Sequence, residues 1–237
     1  AWASLMKPTI LDEDTRAAMV RAGWTTVRQS NVFQPCPRKL KFIIDEEHRY
    51  MNLYALLGSV FHLAWENRET ATLNSQAYWV RLFMECRAKD PNTTYVLDKV
   101  PITMSQIREA ARVMADFLPD IIEHMSEELD RQGVQIIEHE HRVKYEDGVT
   151  NKVTFQGTLD VRSKREGRRG ILDVKTTGMW DPVLAALRGR GPRQPKAVSF
   201  EMVQLQTHNQ LRHYGWLEFI STGKWPEEVG IIVPTNA

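Results

Sequence analysis

The feature that most constrains the fold of this chain is a change of hydrophobic period near residue 133. Residues 103 to 131 place apolar side chains at helical spacing, whereas residues 134 to 176 alternate with a period of two and contain more β-branched residues. The second pattern predicts three strands, at about 134–146, 152–163 and 170–176. Helices, three strands, a helix and a last strand together predict an α/β fold, in which helices flank a central mixed β-sheet.

The long helix has predicted ends and a predicted interruption. Thr103 and Gln106 match a capping box at its start, and Gly133 is placed to end it. Pro119 is expected to kink or divide the helix, because proline lacks a backbone N–H. We expect a single domain over residues 1–237, with a mainly helical part over 1–132 and a sheet-containing part over 133–237.

Composition narrows the class of protein. The net charge of the 237 residues is +1, so a surface for nucleic acid would have to come from local clusters of charge. The two cysteines, Cys36 and Cys86, form no CxxC pair, which fits a reducing, intracellular compartment. The sequence has no apolar run of membrane-spanning length and no signal-peptide pattern, so no membrane partner is expected.

The second and third predicted strands carry charged side chains on one face. Side chains two apart in a strand point the same way, so Asp173 and Lys175 share a face, and pairing of the strands would bring Asp160 next to Asp173. Two carboxylates that close repel each other unless a cation lies between them, and Mg²⁺ or Mn²⁺ suits oxygen ligands. Lys175 could then orient or help deprotonate a water, or offset the charge of a phosphate. The alternative is a surface hairpin with ordinary salt bridges.

The order of these residues resembles the PD-(D/E)xK nuclease superfamily, in the RecB-type branch that contains CRISPR-associated and phage exonucleases. The hairpin carries G-x-x-D and then two apolar residues followed by D-x-K-T. Three more segments match in order: "CPRKL" at 36–40, "GSVFHLAWE" at 58–66 and "QLRHY" at 210–214. The resemblance covers residues 30 to 216. It implies a restriction-endonuclease-like core with a helical N-terminal half.

The resemblance also implies roles for individual residues. The implied metal ligands are His62, Asp160, Asp173 and the backbone carbonyl of Val174. Lys175 would be the catalytic lysine. Gln210 and Tyr214, one helical turn apart, would position the substrate or support the metal ligands.

Several residues keep a structural alternative. Without the surrounding motif, His62 would be interpreted as a histidine of the core. Glu66 either orients the imidazole of His62 or is a solvated charge. Glu140 lies on the first strand, where this family often has an acidic residue. Many RecB-type nucleases hold an iron–sulfur cluster on four cysteines, and since this chain has two, no such cluster is expected.

A basic segment follows the predicted hairpin. Its cations are Arg188, Arg190, Arg193 and Lys196, which could contact the phosphates of DNA or could only be solvated. Trp180 could stack on a base, although a tryptophan in such a place more often packs in a core.

The resemblance therefore implies a Mg²⁺- or Mn²⁺-dependent deoxyribonuclease. An exonuclease on DNA ends or single-stranded DNA is favoured, in recombination, repair or phage DNA processing, within the cytoplasm of a bacterial or phage-infected cell. A recombination or replication protein is a possible partner. The alternatives are a structure- or sequence-specific endonuclease and a catalytically idle module that binds DNA or a protein.

Overall fold

The computed structural model describes residues 26–28, 49–68, 72–146, 154–176, 178–191 and 200–234, and side chains at 50–68, 72–143, 157–176, 178–191 and 210–234. The elements are β1 (Thr26–Arg28), β2 (Arg49–Asn52), α1 (Leu53–Glu66), α2 (Gln76–Lys89), β3 (Thr93–Leu97), β4 (Val100–Pro101), α3 (Met104–Arg131), β5 (Val134–Glu146), β6 (Thr154–Arg165), β7 (Arg168–Val174), α4 (Asp181–Leu187), α5 (Phe200–Thr222) and β8 (Glu228–Ile232). The predicted α/β class, with mixed sheets and flanking helices, is confirmed.

The chain divides into two compact units. The first contains Ala1–Glu47, Arg142–Thr158 and Asn209–Trp225, and the second contains His48–His141, Leu159–His208 and Pro226–Ala237. In the first unit, β1 runs parallel to the start of β6, with Val27 opposite Phe155. The prediction that residues 1–237 form a single nuclease domain stays a prediction.

In the second unit, the remainder of β6 runs antiparallel to β7, and β7 runs parallel to β8. Val161 lies opposite Leu172, and Asp173 lies opposite Ile231. β5 also pairs with β6. A separate small sheet joins β2 to β3 in parallel and β3 to β4 in antiparallel fashion.

The predicted ends of the long helix are confirmed. The Thr103 side chain accepts from the N–H of Gln106 and the Gln106 side chain accepts from the N–H of Thr103, which completes a capping box. Gly133 follows the helix in the left-handed conformation, with φ of 68°. The helix runs unbroken through Pro119, so this proline does not divide it. Buried residues on both sides of it, Leu118 and Ile121 among them, hold the two halves in one core.

The core of the second unit is built from apolar faces of its helices. On α1, apolar residues at helical spacing are buried: Leu53, Leu56, Leu57, Val60, Phe61 and Ala64. His62 lies at the edge of this face, with 21% of its side chain exposed. Among the described residues, no helix combines the length and the apolar character needed to span a bilayer. The sequence also predicts a helix around residues 12–24, which lie outside the described residues.

Candidate metal centre

The hairpin of β6 and β7 brings two of the predicted site residues to one place. Leu159 and Val161 are fully buried on one face of β6, so the intervening Asp160 points to the other face. The backbone N–H of Val174 donates to Asp160 Oδ2 over 2.9 Å. Asp160 therefore lies beside the end of β7, where Asp173 is located, as the alternation of the sequence predicts.

Helix α1 adds His62 to this end of the hairpin. Its Nδ1 is 3.2 Å from Glu140 Oε1 and 3.9 Å from Asp160 Oδ2. One ligand atom from each of His62, Glu140 and Asp160 lies within 4.8 Å of the others. Among the described residues, these three side chains form the group that could hold a metal ion. The structure thus joins the predicted His62 and Asp160 and adds Glu140. Glu66 is exposed on α1, and the carboxylate that contacts His62 belongs to Glu140.

Glu140 reaches His62 through an unusual backbone conformation. Its φ is 49°, in the left-handed region that residues with a Cβ rarely adopt. Its neighbours contact other groups: His139 lies edge-on to Trp65 of α1, and His141 contacts Glu138. Such a conformation costs of order 1–3 kcal/mol and persists only where the surroundings impose it. Strict alternation along "EHEH" could not have placed the Glu140 carboxylate, because the left-handed residue interrupts the period of two.

The electrostatics of the cluster favour a cation. Burial raises the pKa of Asp160 to about 7, and the charges of Asp173 and Glu140 add to this rise, against the opposing effects of His62 and the Val174 N–H. Burial alone would lower the pKa of His62, but the hydrogen bond to Glu140 and the charges of Asp160, Glu140 and Asp173 raise it above its ordinary value. Protonated His62 and a divalent cation are alternative ways of balancing these carboxylates. One imidazole and carboxylate oxygens fit Mn²⁺ and, less closely, Mg²⁺.

Asp173 and Lys175 form an ion pair next to the cluster. Asp173 is fully buried, and Lys175 Nζ lies 2.8 Å from its Oδ2 and 3.2 Å from its Oδ1. The backbone N–H of Lys175 donates to the carbonyl of Ile232 over 2.8 Å, which fixes the end of β7 on β8. The predicted sharing of a face by Asp173 and Lys175 is confirmed. Metal-ligand roles for Asp173 and for the Val174 carbonyl oxygen stay predictions.

Trp180 anchors the segment that follows Lys175. Its ring is 2% exposed, its Nε1 donates to Thr176 Oγ1 over 3.2 Å, and it meets Phe61 edge to face at 6.4 Å. The core alternative therefore describes Trp180. The predicted stacking of Trp180 on a base does not fit this position, because a buried ring has no open face for a base.

Gln210 and Tyr214 belong to the other compact unit. Gln210 Nε2 donates to the Tyr214 hydroxyl over 2.7 Å, which confirms that the two side chains share one face of α5. Their roles in positioning a substrate or supporting a metal stay predictions.

The basic segment after α4 is described in part. Arg188 donates two hydrogen bonds to Asp98, of 2.7 and 2.8 Å, and Arg190 is exposed. The other two predicted phosphate contacts, Arg193 and Lys196, lie outside the described residues, as does Cys36 of the "CPRKL" segment.

Comparison of the chain with models of known protein families gives no match, and comparison with curated proteins gives none either.

Proposed function

We propose that this protein is a Mg²⁺- or Mn²⁺-dependent deoxyribonuclease with a restriction-endonuclease-like core of the PD-(D/E)xK type. The observation that carries the proposal is the position of the His62, Glu140 and Asp160 ligand atoms beside the Asp173–Lys175 ion pair. A hairpin with ordinary surface salt bridges would not combine a fully buried aspartate with an Asp160 carboxyl whose pKa rises to about 7 through burial and neighbouring charge. The resemblance of the sequence to RecB-type nucleases supports the same conclusion.

His62, Glu140 and Asp160 would hold the cation, and Asp173 lies close enough for its charge to act on both His62 and Asp160. A bound divalent cation would supply a Lewis acid that stabilises negative charge on a phosphate. The left-handed backbone of Glu140 aims its carboxylate at the imidazole of His62 and so fixes the orientation of that ring.

Lys175 has the place of a catalytic lysine. Its ammonium group contacts Asp173 and its side chain is 22% exposed, so the ammonium group can still donate to a phosphate oxygen or to a water. Because both carboxylate oxygens of Asp173 lie within 3.2 Å of its Nζ, the lysine side chain is positioned before a substrate binds. An ammonium group there would offset charge on the phosphate during hydrolysis.

We favour an exonuclease on DNA ends or single-stranded DNA, in recombination, repair or phage DNA processing, because the RecB-type branch that the sequence resembles contains such enzymes. The test uses end-labelled single- and double-stranded DNA, in linear and circular form, with Mg²⁺, Mn²⁺ or EDTA. We expect metal-dependent loss of linear DNA while circular DNA remains intact. Cutting of circular DNA would replace the exonuclease by an endonuclease on the same fold.

Two variants connect the reaction to the site. Asp173→Asn and Lys175→Met should each lower the cleavage rate by about 100-fold or more, since each removes a charge next to the phosphate. Asp116→Asn and Lys89→Met are matched controls on exposed helix surfaces and should keep the wild-type rate. Circular dichroism would show that the Asp173 variant is folded. Absence of cleavage by the wild type with either metal, together with retained DNA binding, would favour the idle binding module over the enzyme.

A further inference from the structure

Three residues form a row along one side of α1. Tyr54, Gly58 and His62 are four residues apart, and such residues lie one above another on a helix. His62 is part of the metal cluster, whereas the side of Tyr54 is open to solvent, with 44% of this residue exposed. At about 1.5 Å per residue, the row is about 12 Å long.

The middle of the row is open because Gly58 has no side chain. Among the described residues, a Cβ built at Gly58 would have one neighbour within 4 Å, Thr176 Oγ1 at 3.5 Å, which is an ordinary contact. Thr176 follows directly after Lys175, so the middle of the row lies next to the segment that carries the ion pair. Glycine inside a helix costs about 0.5–1 kcal/mol relative to alanine, and here it leaves the helix surface bare between an exposed ring and the cluster.

Positive charge lies near the far end of the row. Arg188 donates two hydrogen bonds to Asp98, in the turn that follows β3. In the parallel pair of β2 and β3, Asn52 lies opposite Val96, so the start of α1 and this turn lie at the same end of the small sheet. Asp98 and Lys99 form the turn between β3 and β4, and both have positive φ, of 51° and 70°.

Such a turn is usually built with glycine or asparagine, because left-handed backbone is costly for other residues. Here it instead presents a carboxylate that holds Arg188 and a lysine next to it. Lys99 directly follows Asp98 and Arg190 lies two residues after Arg188, so two further cations adjoin the Asp98–Arg188 pair in the chain.

We propose that Tyr54 is a stacking platform for a base of single-stranded DNA, and that the strand follows the Tyr54–Gly58–His62 row to the metal centre. The inference rests on the proposed function and names the path of its substrate. An exposed aromatic ring can stack any base, and nearby cations attract the backbone phosphates without regard to sequence. A stacked strand advances about 3.4 Å per nucleotide, so the row would be spanned by about three to four nucleotides.

The test measures binding separately from cleavage. Fluorescence anisotropy with a fluorescein-labelled 12-mer of thymidylate in EDTA gives the Kd of the wild type, Tyr54→Ala, Tyr54→Phe and Tyr50→Ala. Tyr50 is a matched control, because it is 69% exposed but lies on β2 and not on the row. We expect Tyr54→Ala to raise Kd about 5- to 50-fold, as the loss of one stacked base does. Tyr54→Phe keeps the ring and should stay within about twofold of the wild type, as should Tyr50→Ala.

An unchanged Kd for Tyr54→Ala, or an equal rise for Tyr50→Ala, would overturn the inference. Cleavage of linear DNA by the wild type in Mg²⁺ or Mn²⁺ is measured on the same preparations. If the wild type cleaves and binds while Tyr54→Ala binds as well as the wild type, the stacking platform is wrong and the nuclease stands. If the wild type neither cleaves nor binds, both proposals are wrong.

Discussion

Glu140 is the residue of the candidate site whose position depends most on backbone conformation. Its left-handed φ lets it contact His62, while Glu138, two residues earlier on the same strand, contacts His141 and Arg162 instead. The two residues are thus of the same type and lie on the same strand, but they differ in their surroundings. This difference allows the contribution of the Glu140 carboxylate to metal binding to be measured against a control of the same residue type.

We expect Glu140→Gln to weaken Mn²⁺ binding by about 10- to 100-fold, because it removes a negative charge within hydrogen-bonding distance of His62. Isothermal titration calorimetry with Mn²⁺ would measure the affinity, with Glu138→Gln as the control that keeps it. Equal Mn²⁺ affinity for Glu140→Gln and the wild type would show that Glu140 has no part in holding the cation.

The positions of some site residues could be predicted from the sequence, whereas others could not. Asp160 and Asp173 follow from strand alternation and the hairpin, and Lys175 follows from its spacing to Asp173. His62 lies on an apolar helix, so the resemblance to a nuclease motif was needed to single it out. The contact of Glu140 with His62 could not be derived from periodicity, since one left-handed residue breaks the pattern.

At the level of elements, Gly157 shows why a glycine precedes Asp160 in the G-x-x-D motif. A Cβ at Gly157 would lie 2.1 Å from Leu217 Cδ1 of α5 and 3.7 Å from His213 Nε2. Leu217 is fully buried, so its side chain has little room to move away. The missing side chain therefore allows α5 and β6 to approach each other within the first compact unit.

We expect Gly157→Ala to lower the free energy of unfolding by about 1–3 kcal/mol, the usual cost of adding a methyl group to a packed core. Urea unfolding would measure the change. Gly191→Ala is the control and should leave stability nearly unchanged, because a Cβ there would meet nothing within 4 Å in the part of the chain that the structure describes. A second variant, Gly157→Ala with Leu217→Ala, should lose less than the sum of its single changes if the clash is the cause. Wild-type stability of Gly157→Ala alone would contradict this account.

The helices and strands were predicted well where the hydrophobic periodicity extends over many residues. Both ends of α3 follow from Thr103, Gln106 and Gly133, and β5 has the predicted bounds 134–146. β6 ends and β7 begins two residues closer to the turn than predicted, because the turn at Glu166 and Gly167 is tighter than the basic sequence suggests. β7 ends at Val174, two residues before its predicted end. Pro119 does not divide α3, since the packing of its apolar face outweighs one lost hydrogen bond.

At the scale of the whole molecule, the division into two compact units was not predictable from the sequence. The first unit gathers three segments that are far apart along the chain, and β6 passes from one unit into the other at Thr158. Local patterns give the type of an element but contain no information on which distant segments join a common core. The stability of the fold depends on residues that such a core buries, and His213 on α5, which is 5% exposed, is one of them.

Burial lowers the pKa of His213 to about 4, well below its value of about 6.5 in an unfolded chain. The unfolded chain therefore binds a proton below about pH 6.5 that the folded protein does not bind until about pH 4. Stability should fall as the pH drops through this window, by about 3 kcal/mol at most from this histidine, and should recover as the pH rises. For the wild type, urea unfolding should give a lower free energy of unfolding at pH 5 than at pH 7. In His213→Gln this difference should be smaller by about 2 kcal/mol. His124→Gln, on α3, should keep the wild-type difference between the two pH values. If the free energy of unfolding falls by the same amount between pH 7 and pH 5 in the His213 and His124 variants, the acid sensitivity does not arise from the buried imidazole.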